Sequence, residues 1–313
     1  MVRELREQDA QCSIAQAASV IGDWWSLLIV REVTRGHRRF DDMLRELGIS
    51  RKILTERLKH LVTHGVLTRE PYQERPVRHE YVLTETGWAL APTLVSMQDW
   101  ADRWLLGDGS ATGAPRAGST ETARVRALLI TKIPAPLPLP ATTPPLEPAR
   151  GTPTPTTRDT AARPPTPLDV VPDTGTATIL FTYPSTGPAT SLPPDWNQVP
   201  GAAGCTLENR LFRDHHPELT AAGITLHGVS TQRPDQQAAF ATAEEIPFPL
   251  LSDMDLRLTA ALRLPTFRAG QDLKLKRLIL VIDRSRLIRH VIFPVLDIPS
   301  AIAEATEAAR TLR

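Results

Sequence analysis

Pro200-Gly201-Ala202-Ala203-Gly204-Cys205-Thr206-Leu207-Glu208-Asn209-Arg210-Leu211-Phe212-Arg213-Asp214 is the stretch on which the reading of this 313-residue chain turns. An apolar strand, Thr178 to Phe181, precedes it and ends at Thr182-Tyr183-Pro184, and a loop rich in Gly and Pro leads on to the cysteine. The residues after Cys205 read as a helix with Leu207, Leu211 and Phe212 on one side. A thiol in the first turn of a helix meets unpaired N–H groups and the positive end of the helix dipole. Both favour the thiolate, which is the nucleophilic form. Only one other cysteine exists, Cys12, and it belongs to a different domain.

The length suits two domains. The net charge of +1 says little about partners as a whole-chain number. Met1 to Ala10 is dense in charge with no apolar core behind it, so no secretory signal is expected. No apolar run approaches the roughly 20 residues that cross a bilayer, which predicts no membrane association. Two cysteines cannot form a disulfide framework, and free thiols fit a reducing cytoplasm. Many of the 29 prolines fall between Pro115 and Pro172, and most of Gly107 to Pro167 reads as linker or insertion. Within it, Ala123 to Thr131 has the apolar content of a strand or docking segment. The expected division is residues 1–106, a linker at 107–133, and a second domain at 134–313 with a Pro/Thr-rich insertion at about 143–167.

Residues 1–106 show helical periodicity. Ile14, Ala17, Ala18 and Ile21 share a face, and Leu27, Leu28, Val30 and Val33 mark a second helix after Gly22. Arg39 to Leu47 is a short third helix stopped by Gly48. Ser50 caps a fourth, which runs to about His64 with Ile53, Leu54, Leu58 and Leu61 as its buried stripe. Arg51, Lys52, Thr55, Glu56 and Lys59 point away from that stripe. Val66 to Tyr72 and His79 to Leu83 follow as two strands. Helix, tight turn, cationic helix and hairpin make a winged helix-turn-helix. From Arg35 to Arg78 there are eleven Lys and Arg against six Asp and Glu, the local positive charge that phosphate contact needs. The candidate DNA contacts are Arg38, Arg39, Ser50, Arg51, Lys52, Thr55, Arg57, Lys59, Arg75 and Arg78. Trp24 and Trp25 read as packing residues. His37, His60, His64 and His79 have no metal-ligand spacing, so no metal or cofactor is expected.

This segment resembles the HxlR-type winged-helix regulators. The resemblance is carried by Cys12-Ser13-Ile14, Ile21-Gly22-Asp23-Trp24-Trp25-Ser26-Leu27-Leu28-Ile29, Gly36-His37-Arg38-Arg39-Phe40, Ile49-Ser50, Arg57-Leu58-Lys59, Gly65-Val66-Leu67 and Tyr81-Val82-Leu83-Thr84. It implies a homodimer on double-stranded DNA, paired through the opening helix and Thr84 to Trp104. It also makes Cys12 a redox-sensor candidate, beside the plain alternative of an inert thiol at a helix start.

Strand and helix alternate in the second domain: strands at Ala177 to Tyr183, Ile224 to Ser230, Arg277 to Asp283 and Leu287 to Phe293, and helices at Thr206 to Ala222, Pro234 to Glu244, Asp255 to Leu262 and Ile298 to Leu312. Pro217 is expected to kink or split the first helix. The alternation predicts an α/β sheet covered by helices. The segment resembles the peroxiredoxins of the thioredoxin-like superfamily. The carriers are Leu180-Phe181-Thr182-Tyr183-Pro184, Gly204-Cys205-Thr206, Phe212-Arg213-Asp214, Gly228-Val229-Ser230-Thr231, Phe248-Pro249-Leu250-Leu251-Ser252-Asp253 and Lys276 to Asp283. Leu137 to Thr142 resembles that family's opening strand.

The resemblance implies a thiol peroxidase site, with peroxide as substrate and an external thiol as reductant. Cys205 takes the place of the attacking cysteine, Arg277 that of the arginine holding the thiolate and the peroxide oxygens, and Tyr183 and Pro184 shape the pocket. The sequence departs from the family at Ala202, where a hydroxyl residue is usual, and Thr186 is the candidate substitute. Arg210 stands where some relatives have a second cysteine, so Cys205 has no local resolving partner. The fold expected is two-domain: an N-terminal α+β winged helix-turn-helix and a C-terminal α/β thioredoxin-like domain. Three readings remain open: a redox-responsive cytoplasmic regulator, a one-cysteine peroxidase whose winged helix serves for dimerisation or localisation, and a binding module that has lost its chemistry.

Overall fold

The computed structural model describes residues 9–107, 118–142, 166–187 and 203–312. The chain divides into two compact units, residues 1–98 with 260–262, and residues 99–259 with 263–313. No single helix among the described residues is long and apolar enough to cross a membrane.

The first unit opens with α1 (Ser13–Ile21) and α2 (Trp24–Thr34). Asp23 caps α2, its Oδ1 accepting from the Trp25 and Ser26 amides at 3.1 Å each. The short α3 (Phe40–Leu47) ends at Gly48, whose φ of 60° lies in the left-handed region that stops a helix without Cβ strain. Ser50 then caps α4 (Arg51–Thr63), accepting from the Ile53 amide at 3.3 Å. The wing pairs β1 (Leu67–Glu74) with β2 (Val77–Leu83), and only Arg75 and Pro76 separate the strands, a tighter turn than the expected Gln73 to Arg78. Two further helices, α5 (Glu85–Trp88) and α6 (Ala91–Trp104), follow, the residues of α6 from Asp99 on being assigned to the second unit. Ile29, Val30, Val33, Met43, Leu54, Leu58 and Leu61 are buried together as the core. Leu27 and Leu28 are only half-buried, so the stripe of α2 turns on Ile29 rather than on them. Trp25 packs against this core, but Trp24 is 71% exposed, which corrects its reading as a packing residue.

The second unit contains α7 (Thr120–Arg126), β3 (Pro138–Ala141), β4 (Thr166–Asp169), β5 (Ala177–Thr182), α8 (Cys205–Ala221), β6 (Ile224–Ser230), α9 (Pro234–Ala243), β7 (Leu250–Ser252), the first half of α10 (Arg257–Leu262), the hairpin β8 (Thr266–Ala269) and β9 (Asp272–Leu275), β10 (Leu278–Asp283), β11 (Ile288–Ile292) and α11 (Ile298–Thr311). Among the described residues the main sheet runs β11-β10-β5-β6-β7-β3-β4. Its centre, β5-β6-β7, is parallel, and β10 and β3 join it antiparallel on either side. This is the thioredoxin-like α/β arrangement. The central strands are apolar on both faces because helices cover both.

Three expectations change. Ala123 to Thr131 is no strand: Ser119 caps a helix by accepting from the Thr122 amide, and Val125 is buried on its inner side. Pro217 does not break α8, which runs unbroken through it and buries Phe212 and Leu219 on either side. β4 begins at Thr166, inside the expected insertion, and Pro167 is tolerated there because β4 is an edge strand. The remainder of that insertion, 143–165, lies outside the described residues.

The position of α8 follows from aromatic packing. Phe181 of β5 stacks on Phe212 of α8 at 4.4 Å between ring centroids and meets Phe248 edge-on at 5.9 Å. Gly228 of β6 makes room for that ring, since a Cβ there would stand 2.7 Å from Phe181 Cζ. Packing of Phe212 against β5 brings the start of α8 to the end of β5.

Candidate thiol site and DNA-facing surface

Three elements converge on Cys205. The end of β5 supplies Tyr183 to Thr186, the first turn of α8 supplies Cys205 and Glu208, and Arg277 stands just before β10, whose Leu278 pairs with Thr182. Arg277 donates from Nη2 to Cys205 Sγ at 3.1 Å and from Nε to Glu208 Oε2 at 3.2 Å. All three residues are buried. Gly204, at φ 100°, brings the backbone over the guanidinium: a Cβ there would lie 3.5 Å from Arg277 Nη2 and 3.0 Å from Ile298 Cδ1. The conformation and the space both call for glycine.

The expectation of a lowered thiol pKa is corrected. Burial pushes the Cys205 thiol above its ordinary range, and it outweighs the downward pull of the Arg277 charge and of the Ser185 amide. Glu208 adds to the rise through its negative charge. Burial also lifts Glu208 to about 7, against the pull of Arg277. The guanidinium is therefore shared between two groups that both titrate upward of their usual ranges.

Tyr183 is fully buried, and Gln237 donates to its Oη at 3.0 Å. Burial raises the phenol, so it keeps its proton. The Pro184 carbonyl accepts from Ser230 Oγ at 3.3 Å. Thr186 is buried, but its hydroxyl donates to Gln232 Oε1 at 3.1 Å, and its amide to the same oxygen at 2.8 Å. Ala202, which raised the question of a substitute, lies outside the described residues. A cavity of about 970 Å³ leads away from this corner, lined by Ser185, Thr186, Gly187 and Thr206 at one end and by residues of α9 and β9 beyond. Arg210 forms a two-pronged pair with Glu244 on the outside of α8, with Arg210 Nη2 2.9 Å from Glu244 Oε1.

Sequence reasoning missed Glu208, Ser185, Gln237 and Lys276. Glu208 sits one helical turn past Cys205 and so shares its face, a signal that could have been used. The others are set by tertiary contacts with no local pattern.

In the winged helix, Arg51, Lys52, Thr55 and Lys59 are exposed along one side of α4, and Arg75 and Arg78 are exposed in the wing. Ser50 is held to its capping role. Arg51 lies 3.2 Å from Asp41, and Arg39 stacks over the Tyr72 ring at 4.1 Å. Arg38 is half-buried, and its carbonyl accepts from the Tyr81 amide. Arg57 departs from expectation. It is buried on the inner side of α4, with Nη1 3.5 Å from Asp23 Oδ2, and so braces the cap of α2 rather than facing outward. Cys12 is exposed immediately before α1.

The family models agree with this architecture. Residues 20–108 match the HxlR-like helix-turn-helix model, and residues 197–291 match the AhpC/TSA family model. An uncharacterized HTH-type transcriptional regulator of Mycobacterium tuberculosis is 44% identical over 93 residues, 30% of this chain and 59% of that protein. The chain thus spans about three-fifths of the length of the first curated relatives it matches. The HTH-type transcriptional regulator YvaP of Bacillus subtilis is 40% identical over 91 residues, 29% of this chain and 84% of that protein. Among solved structures, peroxidoxin BcpB of Mycobacterium tuberculosis is similar at 23% identity and a TM-score of 0.42, over 57% of this chain and 94% of that one. The chain belongs to the HxlR-like helix-turn-helix family and carries an AhpC/TSA-type peroxiredoxin-like domain fused behind it.

Proposed function

We propose that this protein is a redox-responsive, DNA-binding transcription regulator of the cytoplasm, in which Cys205 senses or consumes peroxide. The observation that carries this reading is the 3.1 Å contact from Arg277 to Cys205 Sγ in a chain that also exposes Arg51, Lys52 and Lys59 along α4. In the first step the thiolate attacks one peroxide oxygen, the O–O bond breaks, and the departing oxygen leaves as water or alcohol after taking a proton. The sulfur is oxidised to sulfenic acid and the peroxide is reduced. Arg277 lies where a guanidinium can hold the thiolate and the charge that grows on the departing oxygen.

The winged helix binds duplex DNA through Arg51, Lys52, Thr55 and Lys59, with Arg75 and Arg78 of the wing on the backbone. Exposed apolar side chains on α1 and α6 suit pairing of two copies: Ile14 is 80% exposed, Trp100 56% and Trp104 68%. The test is oxidation of the purified protein with one equivalent of hydrogen peroxide, followed by intact mass and dimedone labelling. Gain of one oxygen at Cys205 supports the reading, and an unmodified Cys205 defeats it.

The second reading, a one-cysteine thiol peroxidase with the winged helix for dimerisation or localisation, draws on Arg210, which occupies the resolving position and is committed to Glu244. Sustained turnover with an external thiol, and DNA affinity indifferent to oxidation, would mark that case.

A further inference from the structure

A thiol that reduces a peroxide has a proton to move as well as an oxygen. The thiol loses its proton before it attacks, and the departing oxygen gains one as it leaves. Burial pushes the Cys205 thiol above its ordinary range, so at neutral pH it enters the reaction still carrying that proton. Glu208 stands next to it. This residue lies one turn beyond Cys205 on α8 and is completely buried. Arg277 donates from Nε to Glu208 Oε2 at 3.2 Å and from Nη2 to Cys205 Sγ at 3.1 Å. Those two donors share one edge of the planar guanidinium. Their acceptors therefore lie side by side, as the two oxygens of a carboxylate do in a two-pronged pair.

Glu208 Oε1 is also buried, and it has no hydrogen-bond partner among the described residues. An unpartnered oxygen can hold a proton and release it without breaking a bond already made. The titratable groups set against Glu208 are Cys205 on its own helix, Tyr183 at the end of β5 and Arg277 ahead of β10. Burial makes the Tyr183 phenol keep its proton, and a guanidinium does not give one up. Cys205 and Glu208 remain. Arg277 pulls both downward, while the Glu208 charge raises the thiol. Two neighbouring acids that oppose each other's charge hold one proton between them over a range of pH.

We propose that Glu208 is the acid–base residue of the thiol site: it takes the proton of Cys205 and hands it to the departing peroxide oxygen. The inference rests on the reading of Cys205 as the peroxide-reactive thiol. In the reacting form Cys205 is the thiolate and Glu208 the carboxylic acid. A sulfur electron pair attacks one peroxide oxygen, the S–O bond forms and the O–O bond breaks. Glu208 protonates the departing oxygen, which leaves as water or as an alcohol. The sulfur is oxidised to sulfenic acid, the peroxide is reduced, and Glu208 is left as the carboxylate. Once an external thiol has restored Cys205, that carboxylate takes its proton for the next turnover.

The experiment compares full-length wild type with Glu208→Gln, which keeps an oxygen for Arg277 Nε but cannot carry the proton. Sulfenic acid formation at Cys205 is timed with two peroxides matched in size, ethyl hydroperoxide and peracetic acid, each protein at the top of its own pH profile. The first releases a strongly basic alkoxide that needs a proton, and the second a carboxylate that does not. Glu208→Gln slows ethyl hydroperoxide by roughly 100-fold or more and peracetic acid by less than about tenfold, the scale of a lost general acid. Wild type reacts more slowly in deuterated water with ethyl hydroperoxide and not with peracetic acid. Equal slowing of both peroxides in Glu208→Gln overturns the proposal, because a displaced Arg277 would penalise both. An unchanged rate with ethyl hydroperoxide overturns it too. Should Glu208→Gln not fold, the wild-type solvent isotope effect decides, and its absence with ethyl hydroperoxide is fatal. A wild-type Cys205 inert to both peroxides would instead bring down the functional reading itself, so the two failures are separable.

Discussion

The two domains place the same kind of residue in opposite settings. On α4 and the wing, Arg51, Lys52, Lys59, Arg75 and Arg78 stand in solvent, where a cation is available to a phosphate. In the peroxiredoxin-like domain Arg277, Lys276 and Arg286 are buried, and each is matched to a carboxylate: Glu208, Glu121 and Asp169. Under the proposed function, exposed cations meet a partner that arrives from solution, and a buried one acts on a neighbour already fixed. Arg57 shows that the rule follows environment rather than address. It lies on α4, yet it is buried against Asp23 and belongs with the second group.

The sharpest way to break this comparison is Arg277→Ala. Losing a preorganised cation at developing charge should slow peroxide oxidation of Cys205 by roughly 10²–10³-fold. Stopped-flow measurement on the folded variant decides it, and a rate near wild type would reduce Arg277 to a structural ion pair. On the other side, Arg51→Ala with Lys52→Ala should weaken DNA binding by about 1–3 kcal/mol for a lost base contact, and lower the salt slope by roughly one for each lost phosphate contact. Arg57→Ala should do something different. It should lower the melting temperature, at a cost on the order of 1 kcal/mol for the lost contact with half-buried Asp23, and leave the salt slope alone. If Arg57→Ala changes the slope as Arg51→Ala does, the division between the two groups of cations fails.

What could be read from the sequence divides along the same line. The exposed cations were legible because the period of α4 puts Leu54, Leu58 and Leu61 inward and Arg51, Lys52, Thr55 and Lys59 outward. Arg57 was misplaced because a charged residue beside Leu58 reads as solvated until Asp23 is known to meet it. Cys205 was legible from its place at a helix start and Arg277 through family resemblance, and the structure brings them to hydrogen-bonding distance. The direction of the thiol shift was not legible. A helix start argues for a low pKa, and only the packing of the site shows that burial outweighs it. Glu121 and Lys276 are 155 residues apart in sequence, and no local pattern links them.

Smaller effects sharpen the account of the thiol site. Glu208→Gln removes a negative charge that holds the Cys205 thiol up, so the midpoint of the oxidation profile should move to lower pH. An upward move would mean that Glu208 matters more for holding Arg277 in place than for its charge. A bulky maleimide should label exposed Cys12 well before buried Cys205, while peroxide selects Cys205. Equal labelling of both thiols would show that the site opens freely.

The smallest effect is expected in the winged helix. Buried Glu32 hydrogen-bonds His37 at 2.7 Å and holds its pKa above the ordinary 6.5, with Asp42 and Glu46 adding to the rise. A group whose folded pKa is raised contributes stability that is complete below its unfolded value and is lost as pH rises through the folded one. Five of the six tryptophans fall between residues 24 and 104, so intrinsic fluorescence reports chiefly on this region. The melting difference between wild type and His37→Gln should be greatest below about pH 6.5 and shrink above the folded value. A difference that grows with pH would contradict the assignment.

The central claim is that the thiol site and the DNA-binding surface answer to each other, and DNA affinity before and after oxidation tests it most directly. A duplex selected from a random pool by the reduced protein would be titrated with full-length wild type and with Cys205→Ser, each reduced and peroxide-treated at fixed salt. The account predicts that peroxide changes the affinity of the wild type, that added thiol reverses the change, and that Cys205→Ser stays constant throughout. Equal affinity of reduced and fully oxidised wild type would contradict it.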